Sequence, residues 1–179
     1  MKLGGGVLAR PESFRAALDA VAGAAQRYPL LVVPGGGPFA DAVRAVDRRL
    51  GVSDETAHWM AVLGMDQYAL LIASCLPDAR LVTGPSEIHL DHHGGPVQVL
   101  APYRWLREAD PLPHGWDVTS DSIAAWIAGA LGASRLLLVK PPGAGGDDLV
   151  DPYFPLAVPS GISVEAVPAD RLDALLQPV

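Results

Sequence analysis

The chain has 179 residues, half of them hydrophobic, and a formal net charge of −7 at pH 7. This length fits one domain with a substantial core, and an acidic chain without a basic cluster argues against a nucleic-acid-binding surface. No apolar run reaches the roughly 20 residues that span a bilayer, and no leader pattern is visible, so we expect a cytoplasmic protein that does not bind membranes.

Apolar runs alternate with helical patterns along the whole chain. In chain order the sequence predicts strand 1–3, helix 11–27, strand 30–33, helices 39–50 and 53–75, strand 80–83, a short helix or turn 86–92, strand 97–101, helices 102–109 and 120–131, strand 136–139, strand 164–167 and helix 169–176. Fully apolar strands in this order are typical of a mostly parallel sheet. We therefore expect an α/β fold, a three-layer α/β/α sandwich, as a single domain over residues 1–179.

The long helix 53–75 is unusually apolar. Cys75 at its end is the only cysteine, which excludes an internal disulfide, and its apolar surroundings in the sequence predict that it is buried. His58, Trp59, Met60 and Met65 lie on the same helix. We interpret them mainly as core or subunit interface, with substrate contact as the alternative.

Two glycine runs follow predicted strands. Lys2 and Leu3 lead into Gly4, Gly5 and Gly6, and Val33 and Pro34 lead into the run Gly35, Gly36 and Gly37. Parallel α/β sheets bind ligands beyond the carboxyl ends of their strands, and consecutive glycines allow several N–H groups to face one anion. One run alone is better explained by a tight turn, but two runs with a lysine favour two phosphate-sized sites. Neither is a P-loop or a dinucleotide fingerprint.

The helix predicted at 120–131 opens with Thr119, Ser120 and Asp121. Asp121 is either a favourable charge in the first turn of a helix, or a group that holds a lysine ammonium or helps to position Mg²⁺. Lys140, the second of only two lysines in the chain, ends the next strand and is expected nearby. Trp116 and Trp126 flank this turn, and we interpret both as packing residues.

Two loops remain ambiguous. The stretch EIHLDHHGG contains His89, Asp91, His92 and His93, which are metal-ligating types, but a cluster in a glycine-rich loop is more typical of a solvated segment. We therefore assign no metal ligands. The loop 141–148 is either a ligand loop or a connector.

Four motifs occur in the order found in a known family. They are the opening Lys2-Leu3-Gly4-Gly5, VVPGGGPFADAVR at 32–44, VTSDSIAAWIAGAL at 118–131, and a loose late match of LLLVK, Gly143 and Asp151-Pro152. The ordered set resembles the amino-acid kinase superfamily. Within it, VPGGGPFAD, AHWMAVLGMDQYALLIA and WDVTSDSIA are similar to the small kinases of methanofuran biosynthesis.

The resemblance implies an ATP-dependent phosphotransferase with ATP and Mg²⁺ as cofactors. Its partner would be a small phosphorylated alcohol, (aminomethyl)furanmethanol phosphate, which becomes the diphosphate. Lys2 would neutralise charge on the transferring phosphoryl group, and Asp121 would orient Lys2. The other implied contacts are Gly4, Gly5 and Gly6 for the donor phosphates, Gly35, Gly36 and Gly37 for the acceptor, and Thr119, Ser120, Lys140, Gly143 and Asp151 on the nucleotide side. A homodimer is also implied, since related kinases pair through helices and helix 53–75 is apolar.

Two other functions stay open at this point. A non-catalytic nucleotide- or metabolite-binding subunit of the same fold is one, because Val139-Lys140-Pro141 departs from the family pattern and the tyrosine expected after Gly143 is missing. A small Rossmann-type dehydrogenase is the other, and the missing glycine fingerprint argues against it.

Overall fold

A computed structural model describes residues 1–90, 94–145 and 149–172. In these residues six strands form one sheet in the order β3-β4-β2-β1-β5-β6, and every neighbouring pair is parallel. The strands are β1 (Lys2–Leu3), β2 (Leu31–Pro34), β3 (Arg80–Val82), β4 (Gln98–Leu100), β5 (Arg135–Lys140) and β6 (Ser163–Pro168). The predicted α/β class with a parallel sheet is confirmed. Residues 91–93 of the histidine cluster, and the predicted helix beyond 172, lie outside the described residues.

In the described residues, six helices cover the sheet. They are α1 (Pro11–Ala25), α2 (Gly37–Leu50), α3 (Asp54–Cys75), α4 (Tyr103–Ala109), α5 (Ser120–Ala130) and α6 (Phe154–Ala157). Single 3₁₀ turns occupy Gly5–Ala9, Pro85–Glu87 and Ala169–Arg171. The turn Gly5–Ala9 and α6 are not predicted from sequence, because four or five residues are too few to show a helical period.

Two hydrophobic cores lie on opposite faces of the sheet. Along β2 and β5, Val32 and Val139 face a core that includes Val21 of α1, whereas Val33 and Leu138 face a core that includes Ile127 of α5. Neighbouring residues of a strand point to opposite faces, so strands that are apolar throughout require helices on both sides. This alternation produces the three predicted layers.

Helix α3 begins and ends as the sequence predicts. Ser53 caps it, since its hydroxyl accepts a hydrogen bond from the Thr56 N–H at 3.2 Å. The prediction for Cys75 is wrong: it is exposed, because Ile72 and Leu76 take the buried positions at this end of the helix. Neither α3 nor any other helix in the described parts is long and apolar enough to cross a bilayer.

The strand order places three chain segments together. β1 is central, with β2 on one side and β5 on the other, and the chain passes from β1 to β2 before it returns to β5. The carboxyl ends of β1 and β5 therefore flank the point where the winding direction of the sheet reverses, which is where such sheets bind ligands. Gly4, Gly35 and Lys140 meet at this edge.

Candidate active site

The two glycine loops pack against each other, backbone to backbone. Gly35 N donates to Leu3 O at 2.8 Å, and Gly4 N donates to Val139 O at 2.8 Å. A Cβ on Gly5 would lie 2.1 Å from the nitrogen of Gly37, so no side chain fits there. Gly37 itself has φ of 52°, which favours glycine. The glycines are thus needed for the close approach of two loops as well as for their turns.

Four glycines line a cleft at this edge of the sheet. Gly5, Gly6, Gly36 and Gly37 line it, and none of their N–H groups donates a hydrogen bond to another described residue. Gly37 is also the first residue of α2, whose amino end has no side-chain cap. Unpaired amides at a helix start attract anions, so this wall of the cleft suits phosphate oxygens.

Both lysines of the chain meet at one carboxylate. Lys2 Nζ lies 2.9 Å from Asp121 Oδ1 as an ion pair, and Lys140 Nζ donates a hydrogen bond to Asp121 Oδ2 at 2.8 Å. Lys2 and Asp121 are buried and Lys140 is nearly so. The predicted proximity of Asp121 to a lysine is therefore found, and it involves two lysines rather than one.

Burial and charge act against each other in this cluster. Burial lowers the pKa of Lys2, Lys140 lowers it further, and Asp121 opposes both. Burial would raise the pKa of Asp121, but the two ammonium groups outweigh it and hold this pKa below its usual range. Two ammonium groups beside one carboxylate leave an excess positive charge next to the unpaired amides, which again suits a phosphate.

Asp151 fixes the start of α5. Its Oδ2 accepts hydrogen bonds from Thr119 N at 3.0 Å, Thr119 Oγ1 at 2.8 Å and Ser122 N at 3.0 Å, and its Oδ1 accepts one from Ser122 Oγ. The side chain thus serves as an N-terminal cap supplied from a distant part of the sequence. Both carboxylate oxygens of Asp151 already have hydrogen-bond partners within the protein. The predicted contact between Asp151 and a nucleotide stays a prediction.

The cleft has a volume of about 330 Å³ and extends beyond the two glycine loops. Beyond Lys2, Asp121, Thr119 and Ser120 it is lined by one face of α2, one face of α3 and the loop before α5. These additional lining residues include Ala40, Asp41, Arg44, His58, Val62, Met65 and Trp116. The spacing of Arg44, seven residues after Gly37 on a helix, is the sequence signal that could have placed it on the cleft side.

Charged and aromatic side chains meet at one part of the cleft. The Arg44 guanidinium lies 4.6 Å from the centre of the Trp116 ring and 3.3 Å from Asp41 Oδ1. Trp116 Nε1 donates to Asp47 Oδ2 at 2.8 Å. The interpretation of Trp116 as a packing residue is incomplete, since this side chain also forms cleft wall. Trp126 packs against another tryptophan, as predicted.

His58 also differs from the first interpretation. It lines the cleft, although it is buried like the neighbouring core residues. Its ring stacks on His114 with 4.6 Å between ring centres, and it meets the edge of Trp59 at 4.8 Å. Burial, and then the neighbouring His114, lower the pKa of His58 to about 4, so its imidazole is neutral at physiological pH. Because His58 lines the cleft, the structure favours substrate contact, which was the alternative drawn from the sequence.

The remaining predicted site residues do not form cleft wall. Gly4 and Gly35 lie beneath it and Lys140 is turned toward Asp121, while Gly143 lies in the loop after β5 with φ of 82°. Their predicted nucleotide and acceptor contacts stay predictions. In the part of the chain that the structure describes, no three His, Cys, Asp or Glu side chains are grouped to hold a metal ion.

Known proteins match most of this chain in sequence or in fold. The sequence profile of the Amino acid kinase family matches residues 1–141. A [5-(aminomethyl)furan-3-yl]methyl phosphate kinase from Methanocaldococcus jannaschii is 26% identical over 109 residues, which are 61% of this chain and 50% of the relative. The chain thus spans half the length of that relative. The crystal structure of uridylate kinase from Archaeoglobus fulgidus has a TM-score of 0.57 and 23% identity, over 77% of this chain and 60% of that one, and shows the shared fold.

Proposed function

Because the chain belongs to the amino acid kinase family, we propose that it transfers the terminal phosphoryl group of ATP to a small phosphorylated acceptor. The observation that carries this proposal is the buried cluster of Lys2, Asp121 and Lys140 beside four unpaired glycine amides. Phosphoryl transfer needs charge stabilisation and positioning rather than a protein nucleophile. The cluster and the amides supply both.

Each group has a definite task in the proposed reaction. The amides of Gly5, Gly6, Gly36 and Gly37 hold phosphate oxygens, and the Lys2 ammonium neutralises charge that develops during transfer. Asp121 keeps Lys2 in place and shares its charge with Lys140. ATP supplies the phosphoryl group, whose bond to an acceptor oxygen forms as its bond to ADP breaks.

The described residues fit the phosphates of ATP better than a protein-held metal ion. The carboxylates of Asp121 and Asp151 are already engaged, the first by two lysines and the second by the start of α5. Mg²⁺ commonly binds through substrate phosphates and water. Magnesium is therefore proposed to arrive with the nucleotide, without a dedicated set of ligands in the described residues.

For the acceptor we propose (aminomethyl)furanmethanol phosphate, which would become the diphosphate in methanofuran biosynthesis. The name of the Methanocaldococcus jannaschii relative supports this choice. The cleft volume of about 330 Å³ is at the small end of ligand pockets, which suits a compact acceptor rather than a polymer.

The test is phosphoryl transfer from ATP-Mg²⁺ to a panel of acceptors: (aminomethyl)furanmethanol phosphate, isopentenyl phosphate, UMP, acetylglutamate and aspartate. Turnover of the furan is expected, with a loss of about 10²- to 10³-fold in kcat for Lys2→Ala and Asp121→Asn, as when one stabilising group is removed from a transition state. Arg135→Ala, an exposed residue at the opposite end of β5, is the control and should retain full activity.

Two results would contradict this proposal in different ways. Turnover of another panel member alone would keep the kinase and replace the acceptor. ATP binding in a calorimeter without turnover of any acceptor would support the alternative of a non-catalytic nucleotide-binding subunit. That alternative is motivated by Val139-Lys140-Pro141, which departs from the family pattern. Pro141 lies close to Gly6 in the first glycine loop, so the departure lies beside the proposed phosphate site.

A further inference from the structure

Arg44 and His58 lie together at the end of the cleft away from Lys2. Helices α2 and α3 are joined by three residues and pack closely, with Gly64 of α3 seated against Phe39 and Ala40 of α2. The two helices are therefore antiparallel neighbours. Gly64 and Ala40 are level with each other, and at a rise of about 1.5 Å per residue Arg44 is about 6 Å beyond Ala40 and His58 about 9 Å beyond Gly64 in the same direction. We call this part of the cleft the far end.

His58 is a polar side chain without a partner at the far end. It is 7% exposed, and neither ring nitrogen forms a hydrogen bond with any residue in the described ranges. Neither ring nitrogen is fully enclosed by protein, so the imidazole is open to a hydrogen bond from a ligand group in the cleft. Stacking on His114 and the edge contact with Trp59 fix the ring before any ligand arrives.

The charges around the far end favour a cationic ligand group. Arg44 lies here with Asp41 against it, and the Arg107 guanidinium lies 4.5 Å from the centre of the Trp59 ring. Asp47 accepts the Trp116 indole N–H, and Asp110 Oδ1 lies 2.8 Å from His114 Nε2. Three carboxylates thus lie near two guanidinium groups, so this neighbourhood carries one excess negative charge, while His58 is neutral. A neutral imidazole nitrogen accepts a hydrogen bond from an ammonium group, which a protonated histidine could not do.

We propose that His58 determines acceptor specificity by accepting a hydrogen bond from a primary ammonium group at the far end of the cleft. The acceptor of the proposed function, a phosphate monoester with a primary amine on the other side of a small apolar body, would supply that ammonium group. Val62 and Met65, between the far end and the glycine amides, form the apolar wall for that body. This inference rests on the proposed function, since the phosphate must lie at the glycine end.

The test compares two acceptors that differ only in the amine. One is (aminomethyl)furanmethanol phosphate, and the other has a methyl group in place of the aminomethyl group. A hydrogen bond to a charged group is worth about 10- to 100-fold in binding. We expect wild type to prefer the amine by about this factor in kcat/KM, and His58→Phe to lose the preference through a higher KM for the amine alone.

A second variant separates hydrogen bonding from packing. His58→Gln keeps an acceptor on a side chain of similar reach, so it should restore part of the amine preference that His58→Phe lacks. His89→Ala alters an exposed histidine that lines a separate cavity with Tyr28 and Arg80, and it should keep the full preference. Equal losses for both acceptors in His58→Phe would assign His58 to packing and overturn the inference, as would an unchanged preference.

Calorimetric binding of the two acceptors without nucleotide distinguishes this inference from the proposed function. Tighter binding of the amine, abolished in His58→Phe, supports the inference even if no phosphoryl transfer occurs. Transfer without any preference that depends on His58 overturns the inference and leaves the kinase function in place. A wild-type protein that binds neither acceptor overturns the inference directly.

Discussion

At the scale of single residues, the site depends on one carboxylate with two partners. Asp121 touches both Lys2 and Lys140, so neither ammonium is free to turn away from the cleft edge. A buried ion pair that loses one member is left with an uncompensated charge, which is strongly unfavourable. The three side chains are therefore best regarded as one charged unit whose net charge is positive.

The pH dependence of kcat should reveal Lys2. Burial lowers the pKa of Lys2 from its ordinary value of 10.5, so the ammonium loses its proton at a lower pH than a free lysine. The protonated form is the one that stabilises transferring phosphate, and activity should therefore fall as pH rises through this lowered pKa. Measuring kcat between pH 7 and 11 with saturating substrates checks this, and an alkaline limb at or above 10.5 would contradict it.

Some of these residues were predictable and others were not. Lys2 and Asp121 stand where a strand ends and a helix begins, and a parallel sheet brings such positions to one edge. Arg44 could have been placed by its helical spacing from Gly37, whereas His58 and Trp116 became cleft wall only through contacts between distant segments, which no spacing along the chain specifies. The exposure of Cys75 was missed for the same reason, since helical periodicity does not tell which turn leaves the core.

At the scale of elements, α5 is held by a residue from another part of the chain. Asp151→Ala would leave the Thr119 and Ser122 donors without their acceptor, and Asp121 lies in the same first turn. We expect a loss of about 1–3 kcal/mol in the free energy of unfolding, together with a lower kcat. Asp151→Asn, which keeps one acceptor oxygen, should lose less of both. Urea unfolding and steady-state kinetics give the two quantities.

The cap of α3 provides the matched control for that experiment. Ser53→Ala removes a single cap hydrogen bond and should lower stability by about 1 kcal/mol while kcat is unchanged, because α3 does not carry the charged unit. Equal effects of Asp151→Ala and Ser53→Ala on kcat would show that α5 does not need its cap for activity.

Element boundaries were predicted best where the chain itself marks them. Ser53 marks the start of α3, and Pro11 marks the start of α1, which begins where expected. Helix α2 begins at Gly37, two residues before the predicted start. Glycine is a poor helix former, so the sequence did not mark Gly37 as the first helical residue. Short elements such as α6 carry too little pattern to be recognised.

At the scale of the whole molecule, we expect a homodimer through α3. Leu63 and Leu70 lie seven residues apart on one stripe of this helix and are 41% and 58% exposed. Leu63→Asp combined with Leu70→Asp should give a monomer in sedimentation equilibrium. Leu156→Asp, at an even more exposed position on α6, is the control and should not change the mass. A wild-type monomer at micromolar concentration would contradict the prediction.

The overall architecture was the most predictable level. Apolar strands alternating with helices allow few arrangements other than a parallel sheet with two helical layers, and the match of the Amino acid kinase family to residues 1–141 confirms the resemblance drawn from the motifs. The order of the strands was not predicted, because strand pairing depends on contacts between distant segments.

The contact between Gly5 and Gly37 has a mechanical consequence. Two loops that touch through their main chains keep a constant separation, since neither has a side chain that could adjust. In the proposed reaction these loops hold the donor and acceptor phosphates, so the distance between the reacting groups is built into the sheet edge and does not await a closing movement. Any adaptation to the acceptor must then come from the opposite wall, where α2 and α3 meet.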